Sequence, residues 1–273
     1  MIVDVGRAVV VERSTPMRGA VELVVEHPAA DELRPGQFFQ IAVGAPHAIL
    51  RRPYSAAWHD SVSGRIGFIF NVVGAGSTWL ANRHEGHELD LLGPFGRGFD
   101  LNKSEQPAIV VAGGLGVAVF PGVVKALRAR GRPVTVLMGA RTADQLLPGD
   151  RFSGAEVKVA TDDGSQGHRG SVVDLLDVLP PPLRARVREG GCDLFACGPT
   201  PMLQALVDVA RRFQLPLSAI QVALETPMGC GMGTCLGCAA PASEGGYLLT
   251  CQDGPCVQAD RLDWARMTDA FHE

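Results

Sequence analysis

Four cysteines near the end of this 273-residue chain, Cys230, Cys235, Cys238 and Cys251, constrain its fold more than any other feature. They read C-x4-C-x2-C, and the fourth follows after twelve more residues. Four thiolates at this spacing suit the two irons of a plant-type [2Fe–2S] cluster. Gly229, Gly231, Gly233 and Gly237 lie among them. A loop wrapped around a cluster needs backbone free of Cβ obstruction, with its amide N–H groups turned toward the sulfurs. A structural zinc site is the alternative, although zinc ligands usually come as two short-spaced pairs. Here only Cys235 and Cys238 form such a pair. A disulfide framework is disfavoured, because the cysteines number seven and no signal peptide is recognisable. The cluster reading implies electrons handled one at a time.

The length suits about two domains with their own cores. Hydrophobic residues at 46% and charged residues at 20% are ordinary for a soluble globular protein. A net charge of −4 leaves no basic footprint, so nucleic acid is not expected as a partner. The one stretch of membrane length, 107–124, has no charge but is broken by Pro107, Gly113, Gly114, Gly116, Pro121 and Gly122. It reads as a strand, a turn and a helix start, not a span. With no targeting segment recognisable, the cytoplasm is the expected location, and its reducing conditions suit free thiolates.

The first hundred residues read as six short strands, 2–11, 20–25, 38–43, 54–58, 65–71 and 88–92, with a short helix at 77–83. Alternating polarity and turns such as Pro35-Gly36 and Ser63-Gly64 predict a six-stranded antiparallel β barrel over 1–101. Beyond it, Val- and Leu-rich strands at 108–112, 134–138, 157–160 and 194–197 alternate with helices at 120–130, 171–179 and 201–213. That alternation predicts a Rossmann-like α/β domain with a parallel sheet over 102–222. The remainder, 223–273, holds five of the seven cysteines and is expected to be a small module organised by its ligand.

Several segments have the chemistry of cofactor sites, each with an ordinary structural alternative. Arg52-Pro53-Tyr54-Ser55 opens a strand. A guanidinium fits a pyrophosphate, a ring covers a flat heterocycle and a hydroxyl meets its edge. By itself it is equally an ordinary strand start. Ile69-Phe70-Asn71 runs into Gly74-Ala75-Gly76-Ser77-Thr78, which gathers N–H groups and hydroxyls at a helix start and suits phosphate. A glycine turn with a Ser/Thr cap would look the same. Gly113-Gly114-Leu115-Gly116 closes the first α/β strand, where open parallel sheets bind nucleotides. Cys197-Gly198-Pro199-Thr200-Pro201-Met202 and 161–165 are loops on the same edge. Each alone is a surface turn, but three on one edge make a crevice. The seven histidines show no metal-ligand pattern.

Taken in order, these segments resemble the ferredoxin–NAD(P)+ reductase superfamily. Within it, Glu225-x-x-Met-x-Cys-Gly-x-Gly-x-Cys-x-Gly-Cys and the later Cys251-x-Asp-Gly-Pro are similar to the electron-transfer subunits of type B dihydroorotate dehydrogenase. The resemblance implies FAD against Arg52, Pro53, Tyr54 and Ser55, with Ile69, Phe70 and Asn71 lining the flavin and Gly76, Ser77 and Thr78 at the pyrophosphate. It implies NAD at Gly113, Gly114, Gly116, Cys197, Gly198, Pro199 and Met202, and the cluster on Cys230, Cys235, Cys238 and Cys251. NADP stays open, since Arg141 follows the second α/β strand, where a cation can meet a 2′-phosphate. The resemblance further implies an FMN-containing dihydroorotate dehydrogenase partner, two of each subunit in a heterotetramer, and no acid–base catalytic residue in this chain. Sister subunits of a ferredoxin:NADPH transhydrogenase or a sulfide dehydrogenase are the alternative. Val119-Phe120 and Cys256-Val257 depart from the pattern without removing a ligand.

Overall fold

Short runs of alternating polarity fold the first part of the chain into one antiparallel sheet. Its strands are β1 (Asp4–Ser14), β2 (Ala20–Glu26), β3 (Phe38–Ile41), β4 (Arg52–Ser55), β5 (Trp58–Asp60), β6 (Arg65–Asn71) and β7 (Glu88–Phe95). They lie in the order β4-β3-β7-β1-β2-β6-β5. The computed structural model describes residues 4–44 and 48–267, so Ile2 and Val3 of the first predicted strand lie outside the described residues. The inward face carries Val25, Phe39, Ile41, Ile66, Phe68 and Leu91, all buried. Each such side chain contributes about 1.5–3 kcal/mol by leaving water.

The sheet has seven strands where six were expected. The span 54–58 is not one strand, because the chain changes partners within it. Ala56 N–H donates to Gln37 O at 3.0 Å, beside β3, while Ala57 N–H donates to Gly67 O of β6 at 2.8 Å. The outermost strands in the order are thus consecutive in sequence. The sheet curls until Tyr54 of β4 meets Phe70 of β6, with ring centroids 5.1 Å apart. Helix α1 (Ala75–Ala81) follows β6.

The second half builds β8 (Ala108–Gly113), β9 (Val134–Ala140), β10 (Glu156–Thr161), β11 (His168–Arg169), β12 (Asp193–Cys197) and β13 (Ile220–Ala223), parallel throughout. Helices α2 (Phe120–Ala129), α3 (Pro181–Arg188) and α4 (Thr200–Arg212) run between strands. Val110 and Ala112 of β8 pack into one apolar layer, Ile109 and Val111 into the other, so both faces are dry. The predicted helix 171–179 is only a 3-10 stretch, Val172–Leu176, capped by the Ser171 side chain, which accepts from Val173 N–H at 3.2 Å. Gly170 before it and Pro180 after it bound the segment, and its turn closes with Asp177 N–H donating to Asp174 O, the tighter 3-10 pattern.

The last fifty residues do not stand apart from this sheet. After β13 the chain forms a hairpin, β14 (Ala239–Pro241) and β15 (Tyr247–Leu249), and returns as β16 (Cys256–Gln258). β16 lies antiparallel beside β13, so the sheet is mixed and its order is β11-β10-β9-β8-β12-β13-β16. Buried Glu22 of the curled sheet accepts from Trp58 Nε1 at 2.7 Å and pairs with Arg151 of the second half. Among the described residues no helix is long and apolar enough to cross a membrane.

Candidate functional site

The twelve-residue gap before Cys251 is the β14–β15 hairpin. Ala239 pairs with Leu249, so Cys238 and the Thr250-Cys251 step meet at its open end. Their Sγ atoms are 3.2 Å apart. Phe38 and Phe95 of the curled sheet wall this pair, with Leu92, Met228 and Leu249. Buried Thr250 donates to Cys238 O from both its N–H and its hydroxyl, each at 3.1 Å. Its hydroxyl also lies 2.6 Å from Thr226 Oγ1.

Cys230 and Cys235 form the second pair, on the solvent side. Cys230 Sγ accepts Met232 N–H at 3.4 Å. Burial opposes its thiolate, but hydrogen bonds from Thr234, Met232 and Cys235 outweigh it and bring Cys230 down to about 5. Cys251 goes the other way, pushed up to about 12 by burial and the neighbouring Cys238. The short-spaced Cys235 and Cys238 therefore fall in different pairs. Among the described residues no group of three or more His, Cys, Asp or Glu side chains forms a single-ion site. Two thiolates for each of two irons is what a [2Fe–2S] cluster requires, so the donor set fits that group.

Backbone geometry shapes the loop around these thiols. Gly231 has φ +77° and lies against Gln40, and Gly233 has φ +82° and lies against the Gln252 amide. Gln252 Nε2 donates to Met232 O at 2.9 Å. Leu236, between the two pairs, holds φ +59° without being glycine. Such strain persists only where the surroundings over-determine it, as at ligand clamps.

On the curled sheet, Arg52 and Gly76 come together: a Cβ on Gly76 would lie 3.5 Å from Arg52 Nε. Arg52, Pro53 and Tyr54 are half-buried and Ser55 is exposed. Burial outweighs the Arg52 charge and raises Tyr54 to about 12, so its phenol stays protonated. The Ser77 hydroxyl is engaged in its own loop, accepting from Val73 N–H at 2.9 Å and Gly74 N–H at 3.0 Å. It also donates to Gly74 O, leaving the backbone to meet a phosphate. Ile69 and Phe70 are buried, and Asn71 ends β6 half-buried.

The strand order of the α/β sheet reverses between β8 and β12, the switch point where such sheets take nucleotides. The turns after these strands touch there. A side chain on Gly113 would strike Met202 Sδ, and one on Gly116 would strike Cys197 O. Gly114, at φ +55°, faces open space. Burial and then the Glu225 carboxylate push the Cys197 thiol up to about 12. Ser165 joins the loops after β9 and β10, accepting from Ala143 N–H at 2.8 Å and donating to Asp163 at 2.6 Å.

Residues 225–263 match the model of the iron-sulfur cluster binding domain of dihydroorotate dehydrogenase B. Over 248 residues the chain is 38% identical to the dihydroorotate dehydrogenase B (NAD+) electron transfer subunit of Geobacillus kaustophilus, covering 88% of this chain and 91% of that protein. The chain belongs to the family of dihydroorotate dehydrogenase B electron-transfer subunits. The subunit of this family from Fusobacterium nucleatum is 33% identical over 84% of this chain and 86% of its own. Among solved structures, one of an NADH-dependent reduced ferredoxin–NADP oxidoreductase superposes with TM-score 0.81 at 28% identity, covering 96% of this chain and 91% of that one. The ferredoxin reductase of a carbazole 1,9a-dioxygenase shares the fold, with TM-score 0.70 at 24% identity, covering 81% and 68%. The family name implies a catalytic partner subunit.

Sequence reasoning missed Thr226, Thr250 and Gln252, which brace the cysteine loop, and Gln40 beneath it. The one available signal for Gln40 was its place as the lone polar residue in the apolar run Phe38-Phe39-Gln40-Ile41.

Proposed function

We propose that this chain carries electrons from dihydroorotate oxidation, performed at the FMN of a catalytic partner, through a [2Fe–2S] cluster and FAD to NAD+. The pathway served is pyrimidine biosynthesis. The observation that carries the reading is the pair of thiol pairs set against the curled sheet, within a chain 38% identical to named subunits of this activity. When bound, FAD would exchange a hydride with NAD and electrons singly with the cluster.

The chain's own residues bind, orient and exclude water. Gly76, Ser77 and Thr78, with Arg52 beside them, would hold the pyrophosphate, Tyr54 would cover the flavin, and Pro53, Ser55, Ile69, Phe70 and Asn71 would complete its bed. Gly113, Gly114, Gly116, Cys197, Gly198, Pro199 and Met202 would hold NAD. Cys230 and Cys235 would hold one side of the cluster and Cys238 and Cys251 the other. Exposed Met232 and Leu236 in the cysteine loop, with Leu50 beside Gly229, supply an apolar rim for the partner. The assembly is two of each subunit, in the cytoplasm. The units are 1–101 for FAD, 102–222 for NAD and 223–273 for the cluster, the last two sharing one sheet.

A sister role in a ferredoxin:NADPH transhydrogenase or sulfide dehydrogenase is the second reading, and the TM-score of 0.81 to a ferredoxin–NADP oxidoreductase favours considering it. Purification with the FMN partner and an assay of dihydroorotate-dependent NAD+ reduction separates the two. No turnover by a fully loaded complex rejects the first reading. A colourless, zinc-containing protein would reject both.

A further inference from the structure

Strand β3 carries one residue out of pattern. Phe39 and Ile41 face the dry interior of the curled sheet, and Phe38 joins the apolar wall beneath Cys238 and Cys251. Gln40 shares the face of Phe38 by the two-residue period of a strand. It is fully buried, and neither its Oε1 nor its Nε2 meets a hydrogen-bond partner among the described residues. Gln37, three residues earlier and also buried, shows a satisfied amide. Its Nε2 donates to Gly96 O at 2.9 Å, and its Oε1 accepts from Arg34 N–H at 2.9 Å. Buried amides are almost always paired, so the exception at Gln40 points to a group outside the polypeptide.

Packing fixes where that amide lies. Pro53 of β4 stands opposite it on one side and Leu92 of β7 on the other. Gly231 covers it: a Cβ there would come within 2.8 Å of Gln40 Cγ and 3.0 Å of Nε2. Gly231 follows Cys230 directly, so the amide lies between the cysteine loop and the strand bearing Arg52 and Tyr54.

We propose that Gln40 is a positioning residue for the electron relay, donating its amide N–H to sulfur on the Cys230 side of the cluster. The inference rests on the cluster reading above. A reduced cluster carries one more negative charge than an oxidised one, so an N–H donor at its sulfur favours reduction and raises the midpoint potential. One electron arrives or leaves, and Gln40 keeps its proton throughout. A covering residue larger than glycine at position 231 would separate the amide from the loop.

The test is an EPR-monitored redox titration of the complex purified with its catalytic partner, comparing wild type with Gln40→Met and Gln40→Leu. Both variants fill the site without a donor, and either one suffices if the other fails to assemble. The cluster midpoint should move to a more negative value, shifting the FAD–cluster equilibrium about tenfold, the scale of an outer-shell hydrogen bond. The flavin midpoint and the iron content should stay as in wild type. A wild-type cluster midpoint in the variants overturns the role of Gln40 and leaves the cluster reading intact. No cluster signal in the wild type overturns that reading and this inference together.

Discussion

The two cysteine pairs share one loop system but occupy opposite environments. Cys238 and Cys251 are buried against Phe38 and Phe95, and their thiols contact each other in a dry wall. Cys230 is half-buried and Cys235 exposed, within a loop of left-handed glycines and surrounding hydrogen-bond donors. The inner pair is held by packing, the outer pair by backbone conformation. The thiolate is favoured at Cys230 and opposed at Cys251, so the polypeptide prepares Cys230, and not Cys251, to accept metal unaided. Cys251 relies on the metal to draw its proton away.

The sharpest test of this contrast is serine substitution, read in iron-free protein so that cluster loss does not enter. Cys238→Ser places a hydroxyl in the apolar wall and should cost about 1–3 kcal/mol, seen as a lower melting temperature. Cys235→Ser should leave the iron-free melting temperature near wild type. Both should abolish the cluster absorbance while the flavin band persists. Equal destabilisation by the two would break the comparison.

Gly233→Ala addresses the outer loop through its backbone. A Cβ at φ +82° meets the Gln252 amide, and the left-handed conformation adds about 1–2 kcal/mol. Iron bound per chain should fall, with the curled sheet's flavin content unchanged. Thr250→Val removes the hydroxyl that bonds Cys238 O and Thr226, at a cost of about 1 kcal/mol. The melting curve of the iron-free protein measures it. Leu236→Gly should have the smallest effect, a slight rise in melting temperature. It relieves about 1 kcal/mol of left-handed strain, partly offset by the freedom glycine gains when unfolded. A fall would show that the Leu236 side chain, not its backbone, matters to the loop.

The four cysteines were legible as a set because thiol spacing is a local property of the chain. Their pairing was not. It depends on a hairpin with three-residue strands, too short to show any period, that folds Cys251 back to Cys238. The glycine turns of the second half were legible for a similar reason, since strand ends and glycine runs are local. Their mutual contact, Gly113 with Met202 and Gly116 with Cys197, required the strand order. The seventh strand of the curled sheet was hidden inside an apparently continuous run, because a change of hydrogen-bond partner at Ala56-Ala57 leaves no mark on polarity. β16 was invisible for want of length. Gln40 was readable only as an anomaly, since Gly231, the residue that covers it, lies almost two hundred positions away.

β13 and β16 bracket the cysteine loops between two neighbouring strands of one sheet, with Ala223 opposite Cys256 at the point of exit and return. The loops are stapled at both ends, like a handle on a plate. Moving its ends relative to the nucleotide crevice would unzip the sheet's edge, and Phe38 and Phe95 hold the inner cysteine pair from the other side. Tunnelling falls off steeply with separation, so a fixed gap leaves the driving force between stations, and the arrival of the partner, as the quantities by which current through this chain can be regulated.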